Sequence, residues 1–372
     1  MSKVRLGDIA DIITGPFGSM LHKSDYVKKG IPLIMPQDIG DRCVDFSNIA
    51  KISEEDAERL KKYEVVENDI VYARRGDVEK HAFIIKEYGR LFCGTGCLRV
   101  RVKQEFAKPL YVSYYLNRPE SKEWISKHAV GSNMPNINTE ILSDVMIELP
   151  DTETQEKIAF LLEQIDLKIK SNNMINDNLH QMLCDKFEYF FIQNRQNNWQ
   201  STTLDQVAEL YQPKTISGNE LINNGRYFVY GANGIIGKYD KYNHLESQIA
   251  VACRGASCGS LTMTLPKSWI TGNAMIVNPM PHFPYKEYLY YTLCKKNIAY
   301  LCSGSAQPQL TRENMNIYTL TIPPVFILEN FEYEASSIRK KIITNELENI
   351  KLIQFRDWLL PMLMNGQATI DD

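Results

Sequence analysis

From Thr152 to Phe191 the chain runs forty residues without a glycine or a proline. Along it Ile158, Leu162, Ile165, Ile169, Leu179, Leu183 and Phe190 recur in steps that keep them on one stripe of a helix. Such a helix is roughly 60 Å long at about 1.5 Å per residue. It cannot bury its stripe alone. A second stretch, opened by Pro323 and Pro324, carries Phe331, Ala335, Ile338, Ile342, Leu352, Leu359 and Leu363 on the same heptad grid shifted by 173 residues. Pairing the two helices, most simply antiparallel, buries both stripes. The grid also holds Asn172, Asn176, Asn345 and Asn349. Either these asparagines sit in the seam, where they cost stability but fix register, or they face solvent at a helix bend.

The helices are one part of a wider duplication. GSNMPNINTEIL at 131 to 142 is answered by GSAQPQLTREN at 304 to 314, RLGDIADI at 5 to 12 by TLDQVAEL at 203 to 210, and IVYARRG at 70 to 76 by IAVACRG at 249 to 255. TGCLRV at 95 to 100 matches TGNAMIV at 271 to 277, and YVSYYL at 111 to 116 matches YLYYTL at 288 to 293. The matches keep one order while their offsets drift from 198 to 173, which is duplication with loop insertions.

Between the helical stretches the pattern changes. Segments such as GIPLIM, NDIVYA, RYFVYG and SQIAVAC are short, rich in β-formers and bounded by Gly, Pro, Asn or Asp. Residues 54 to 62 and 110 to 127 read as short helices. The expectation is an α+β chain with two pseudo-repeated globular modules, 1–150 and 199–324, each holding a small mixed or barrel-like sheet. Each module is followed by a spacer helix, 151–198 and 325–372, and the two helices form an antiparallel coiled coil with the modules at its opposite ends.

Composition narrows the class. The longest apolar runs fall far short of a bilayer span, and the first residues lack a signal-peptide core, so a cytoplasmic protein is expected. Eight cysteines, at 43, 93, 97, 184, 253, 258, 294 and 302, contain no CxxC pair and read as reduced, mostly buried thiols rather than metal ligands. The net charge of −3 hides a regional pattern. Residues 1–150 carry 22 basic and 22 acidic side chains and residues 199–324 carry 10 and 7, while each helical segment holds 5 and 8. The modules are free to meet a polyanion, though a chain this balanced needs a basic partner for strong binding.

The order LGDIAD, strands, ARRG, TG, GSNMPNI, ELP, QEKIAFLLEQIDLKI resembles the specificity subunit of a type I restriction-modification system over essentially the whole chain. The second copy departs where VFILENFEYEASSI replaces the Gln-Glu start of the helix. The resemblance implies that each module is a target recognition domain reading one part of a split, asymmetric double-stranded DNA site. It implies that the paired helices act as a ruler and dock two methyltransferase subunits, with restriction or translocase subunits joined through them. No cofactor is expected on this chain; S-adenosylmethionine belongs to the partners. Two readers on such a spacer would reach half-sites about one DNA turn apart, near 34 Å.

Candidate DNA contacts are Arg74, Arg75, Lys80, His81, Asn133 and Asn136 in the first module, and Tyr230, Asn233, Lys238, Arg254, Gln307 and Gln309 in the second. Arg suits guanine and the amides suit adenine, while Lys more often holds phosphate. Each has a plainer alternative. ARRG could end a strand with solvated arginines, YGANGIIGKYDKYN could be only a glycine-rich hairpin, and Ser132, Asn133, Asn136, Ser305 and Gln307 could simply close their modules.

Two rival classes make different demands on the sequence. A DNA adenine methyltransferase with fused recognition domains needs an Asp/Asn-Pro-Pro-aromatic tetrad, and the Pro323-Pro324 pair is followed by Val325. A nuclease-like Glu120-x-Lys122 falls in an expected surface helix, and the six histidines show no metal or triad spacing. No intrinsic catalysis is expected. A protein scaffold that binds no DNA is the other alternative.

Overall fold

The structure is a computed structural model that describes residues 2–131, 134–223, 225–296, 298–304 and 308–370. The chain divides into two compact units, one of residues 1–169 and 350–372, the other of residues 170–349. Both divisions fall inside the long helices, which run Thr152–Glu188 and Val325–Met364. A π-helical turn, Tyr189–Gln193, follows the first.

In the first unit an antiparallel sheet has the order Ala10–Thr14, Cys97–Val102, Ile70–Ala73, His81–Phe83. A second sheet has the order Ala50–Ile52, Ile31–Ile34, Leu91–Cys93, Glu64–Val65, with its two central strands parallel. Ser2–Arg5 pairs with Met146–Leu149, so the beginning and end of the module are tied together immediately before the long helix. The expected helix at 110 to 127 is two, Pro109–Leu116 and Pro119–His128. Pro119 forces the preceding Arg118 into extended backbone, which no α-helix can pass through.

The second unit repeats the plan in different residues. Its antiparallel sheet runs Ala208–Tyr211, Ala274–Pro279, Ile249–Ala252, Leu261–Met263. A three-stranded sheet, Gly234–Tyr239, Tyr227–Gly231, Trp269–Ile270, again contains one parallel pair. Gln200–Thr203 pairs with Thr319–Ile322 before the second long helix.

Each unit buries its share of both helix stripes. Ile158, Leu162, Ile165 and Leu359 join the first core, with Ile169 and Leu352 half-buried against it. Leu183, Phe331 and Ile342 join the second, flanked by Leu179, Phe190 and Ile338. Within the second unit the helices run antiparallel: the Asn172 side chain donates to Asn349 at 2.8 Å and Asn345 to Asn176 at 2.8 Å. The asparagines are seam residues, at most 7% exposed, and not solvent-facing. The shift of 173 residues maps one pair onto the other.

The departure at the start of the second helix is compensated locally. In the first unit Gln155 accepts the backbone N–H of Lys108, the cap of helix Pro109–Leu116. Leu328 stands at the equivalent position, and Glu332, one turn later, instead accepts the N–H groups of Glu287 and Tyr288 at the start of helix Lys286–Lys295.

The cysteines need one correction. Cys93, Cys97 and Cys253 are buried thiols, but Cys258 and Cys302 are joined in a disulfide because the fold brings together two segments 44 residues apart. Cys43, Cys184 and Cys294 lie at the surface outside any disulfide. Among the described residues no cluster of potential metal ligands forms, and no helix is long and apolar enough to cross a membrane.

Candidate nucleic-acid interface

The repeated Gly-Ser phrase has a structural counterpart in each unit. In the first, Arg74–Lys80 forms the tip between strands Ile70–Ala73 and His81–Phe83. Gly76 takes φ +78°, a conformation glycine adopts without Cβ strain. The segment after the Gly-Ser phrase lies along this tip: Gly76 N–H donates to Pro135 O at 3.1 Å and Ile137 N–H to Arg74 O at 3.0 Å. Val130, just before the phrase, pairs with Asn136, after it, through two 2.9 Å backbone bonds.

The second unit builds the same brace. Gly255, at φ +77°, donates to Pro308 O at 3.1 Å, and Leu310 N–H donates to Cys253 O at 2.9 Å. Ser303 and Gln309 pair as Val130 and Asn136 do. Gly131 and Gly304 have φ of +104° and +94°, so the phrase needs its glycine both times. Arg75 bridges Asn136 through the backbone, and Arg254 bridges Gln309. Each unit therefore presents an arginine turn held by a Pro-amide strand.

Exposure sorts the expected contacts. Arg75, Asn233, Arg254 and Gln309 are exposed, Arg74 and Asn136 half-buried. Arg74 Nε and Asn136 Oδ1 are buried without a partner. Asn233 sits at the two-residue turn between Tyr227–Gly231 and Gly234–Tyr239. Lys80 is tied to Asp77 at 2.6 Å, a hydrogen bond that also raises the lysine pKa, and Lys238 lies 5.6 Å over the Phe228 ring on its own hairpin. Asn133 and Gln307, like Ser132 and Ser305, lie outside the described residues.

His81 and Tyr230 are corrections, since both were expected at the surface and both are buried. His81 is 1% exposed, stacks on Tyr72 and shares a 3.0 Å hydrogen bond with the Ser113 hydroxyl. Burial pushes its pKa well below the usual value, and Arg42 and Lys122 add to this, so the ring is neutral. The Tyr230 hydroxyl accepts the Leu265 N–H at 3.1 Å. Both lie on strands, with their own side chains turned into the module.

Phe17, absent from the sequence-based candidates, is 60% exposed in the loop after strand Ala10–Thr14. A Cβ on the neighbouring Gly15 would lie 2.1 Å from Gly94 O, so this loop is pinned against the loop that carries Thr95 and Gly96. Gly96 O in turn accepts the Arg74 N–H at 2.8 Å, so the Phe17 loop belongs to the cluster around the arginine turn. The signal available was an aromatic residue between glycines in GPFG. Exposed Gln37, on the next connection, is absent from those candidates too.

The chemistry of these turns is donor-rich and acceptor-poor at the arginines, with amides beside them. Such groups can fork onto guanine, pair with adenine or hold phosphate. A family model described as the type I restriction modification DNA specificity domain matches residues 1–181 and again 196–352. The chain belongs to this family. The specificity subunit of the type I restriction enzyme MjaIX from Methanocaldococcus jannaschii is 23% identical, over 70% of this chain and 69% of its own length. The HindI specificity subunit from Haemophilus influenzae is 21% identical over 87% of this chain and 90% of its own. The S subunit of a type I restriction-modification system from M. genitalium, solved by crystallography, shares the fold with a TM-score of 0.64 at 16% identity, covering 100% of this chain and 96% of that one. As a type I specificity subunit the chain supplies DNA sequence specificity, and its part in the enzyme is recognition rather than catalysis.

Proposed function

We propose that each module of this specificity subunit reads one part of a split DNA site, and that the outward faces of its long helices dock two methyltransferase subunits. Restriction subunits would join through those partners. The observation that carries the reading is the same braced arginine turn in two modules, furnished with different side chains. Arg75 with Asn136 in one module and Arg254 with Gln309 and Asn233 in the other are unlike sets of donors and acceptors, so the two half-sites differ. Arg74, Lys80 and Lys238 are assigned to phosphate or to holding the loops.

The partner assignment rests on exposed apolar side chains that recur along each helix. Phe160, Leu167, Met174, Met182 and Tyr189 are exposed at intervals of seven or eight residues on the first. Tyr333, Leu347 and Phe355 stand at the positions of Phe160, Met174 and Met182 shifted by 173, and are exposed too. A face repeated in this way suits two copies of one partner. The near balance of charge in the modules leaves much of the phosphate neutralisation to that partner. The assembly would work in the cytoplasm, with the DNA it reads.

The test is co-expression with a methyltransferase encoded beside this chain, followed by mapping of methylated adenines in genomic DNA. The expected result is a split motif with a constant gap, absent when this chain is omitted. Methylation unchanged without the chain, or a stable complex that methylates nothing, would overturn the reading.

A further inference from the structure

The two arginine turns differ in how their tips are anchored. In the first unit the tip is closed by Ala73 N–H to Lys80 O at 3.1 Å and Lys80 N–H to Asp77 O at 3.0 Å. In the second, Ala252 N–H to Ser260 O and Ser260 N–H to Ser257 O, both 2.9 Å, do the same. Matching these ladders aligns Cys258 with Val78. The Gly-Ser phrases align Cys302, next to Ser303, with Ala129. Val78 is 1% exposed in the first core and Ala129 packs against that core, so the first unit fills these places with inert apolar groups. The second fills them with two cysteines whose Cα atoms are 6.5 Å apart and whose sulfurs are joined.

We propose that Cys258 and Cys302 are positioning residues for the second reading turn, closed and opened by thiol–disulfide exchange, so that recognition of the second half-site alone depends on redox state. The proposal rests on the split-site reading above. The link ties the Arg254 tip to Cys302, whose neighbour Ser303 pairs with Gln309 through the backbone, and it leaves the first module untouched. Cys302 is half-buried while Cys258 is 8% exposed, so Cys302 is the sulfur that meets a small reagent first. Its thiolate attacks one sulfur of a low-molecular-weight disulfide such as glutathione disulfide. The reagent's S–S bond breaks, a mixed disulfide forms and one thiol leaves; Cys258 then displaces the second. Two cysteine thiols are oxidised, one reagent disulfide becomes two thiols, and the cysteine protons pass to them. Excess thiol reverses each step.

The experiment uses the full chain in complex with its methyltransferase, equilibrated with either glutathione disulfide or excess reduced glutathione. Alkylation followed by mass analysis reports whether Cys258 and Cys302 are paired. Binding is then compared for a duplex carrying the mapped site and for two duplexes with one altered base in the first or second half. The expected result is at least about fivefold stronger discrimination at the second half in the oxidised complex, the low end of ordinary coupling between sites, with the first half unchanged. The double variant Cys258→Val, Cys302→Ala, which imports the first module's residues, should fold and lose the redox dependence. Pairing without any change in discrimination would overturn the proposal. So would free thiols in glutathione disulfide, or equal changes at both halves. Failure of sequence-dependent binding in both states would remove the split-site reading itself, and the alkylation pattern, read without DNA, tells that failure apart.

Discussion

Asp166 and Arg339 hold the same station on the two long helices, 173 residues apart, and carry opposite charges. Asp166 accepts hydrogen bonds from Arg42 at 2.7 Å, Tyr114 at 2.7 Å and Arg356 at 2.8 Å. Arg339 donates to Glu287 at 2.9 Å and to the Tyr291 hydroxyl at 3.3 Å. Tyr114 and Tyr291 are themselves repeat equivalents. Each unit thus fastens its tyrosine-rich helix to the long helix at this station, through the Tyr114 hydroxyl in the first and the Glu287 ion pair in the second, and the charge standing there is opposite in the two.

The ion pair in the second unit is deeply buried, with side chains 7% and 5% exposed. Arg339→Met alone strands the Glu287 carboxylate and is expected to cost about 3–5 kcal/mol in urea unfolding. Adding Glu287→Leu removes the stranded charge and should recover most of that loss. A double variant no more stable than the single one would mean that the pair itself, and not charge burial, holds the helices.

The asparagine layer makes a similar case without charge. Asn345→Leu leaves Asn176 Oδ1 without its donor at a site 6% exposed, which is expected to cost about 1–3 kcal/mol. The double variant Asn176→Leu, Asn345→Leu replaces the pair with apolar packing and should match or exceed the parent in denaturation midpoint, since seam asparagines trade stability for register. A double variant weaker than either single variant would refute this.

Equivalent seam positions are not equally buried. Ile165 is 7% exposed, whereas Ile338 is only half-buried. Ile165→Asp must desolvate its carboxylate or open the seam, so a loss of several kcal/mol is expected, with Ile338→Asp costing clearly less. Equal losses in thermal or urea unfolding would contradict the difference in packing.

Much of this architecture was legible because helices report themselves in sequence. The stripe through Ile158, Leu162 and Ile165 has a period that only a helix produces, and the drifting offsets exposed the duplication. The site was less legible because its geometry is made by pairings across long sequence gaps. Nothing local in ARRG says that Arg75 will bridge Asn136, sixty-one residues on. Nor does a polar residue in a short strand declare its face: His81 found Ser113 inside the module, and Tyr230 found the Leu265 amide. The Cys258–Cys302 link was missed for the same reason, since cysteine spacing carries no record of which strands are neighbours.

Glu332 gives the second unit a pH dependence. Burial pushes its carboxyl up to about 7, the N–H groups of Glu287 and Tyr288 pull it back, and the Glu287 charge adds to the rise. Its unfolded value is about 4.3. Between these values the folded chain keeps a proton that the unfolded chain releases. Stability therefore falls as pH rises from about 4.3 to about 7 and is level above that. Glu332→Gln should remove this slope, gaining on the parent by on the order of 2 kcal/mol between pH 5 and pH 8. Parallel stability curves for the two proteins over that range would be the contrary result.

The arginine turns can be strained without touching an arginine. Gly76 and Gly255 have φ of +78° and +77°, and a Cβ at either would meet no atom within 4 Å. Alanine there pays only the left-handed conformation, about 1–2 kcal/mol, which the turn can relieve by moving. That movement would displace Arg75 or Arg254 from the Pro-amide strand. Gly76→Ala is expected to weaken discrimination at the first half-site only, and Gly255→Ala at the second only, in binding to duplexes altered one half at a time. Gly89 supplies the control, with φ +69° and the same open space, but past the far end of strand His81–Phe83. With ψ −151° Gly89 lies in a region close to glycine-only, so Gly89→Ala should lose at least as much stability and still leave DNA discrimination as it was. If all three variants weaken binding alike, the effect is general destabilisation and the turns are not the readers.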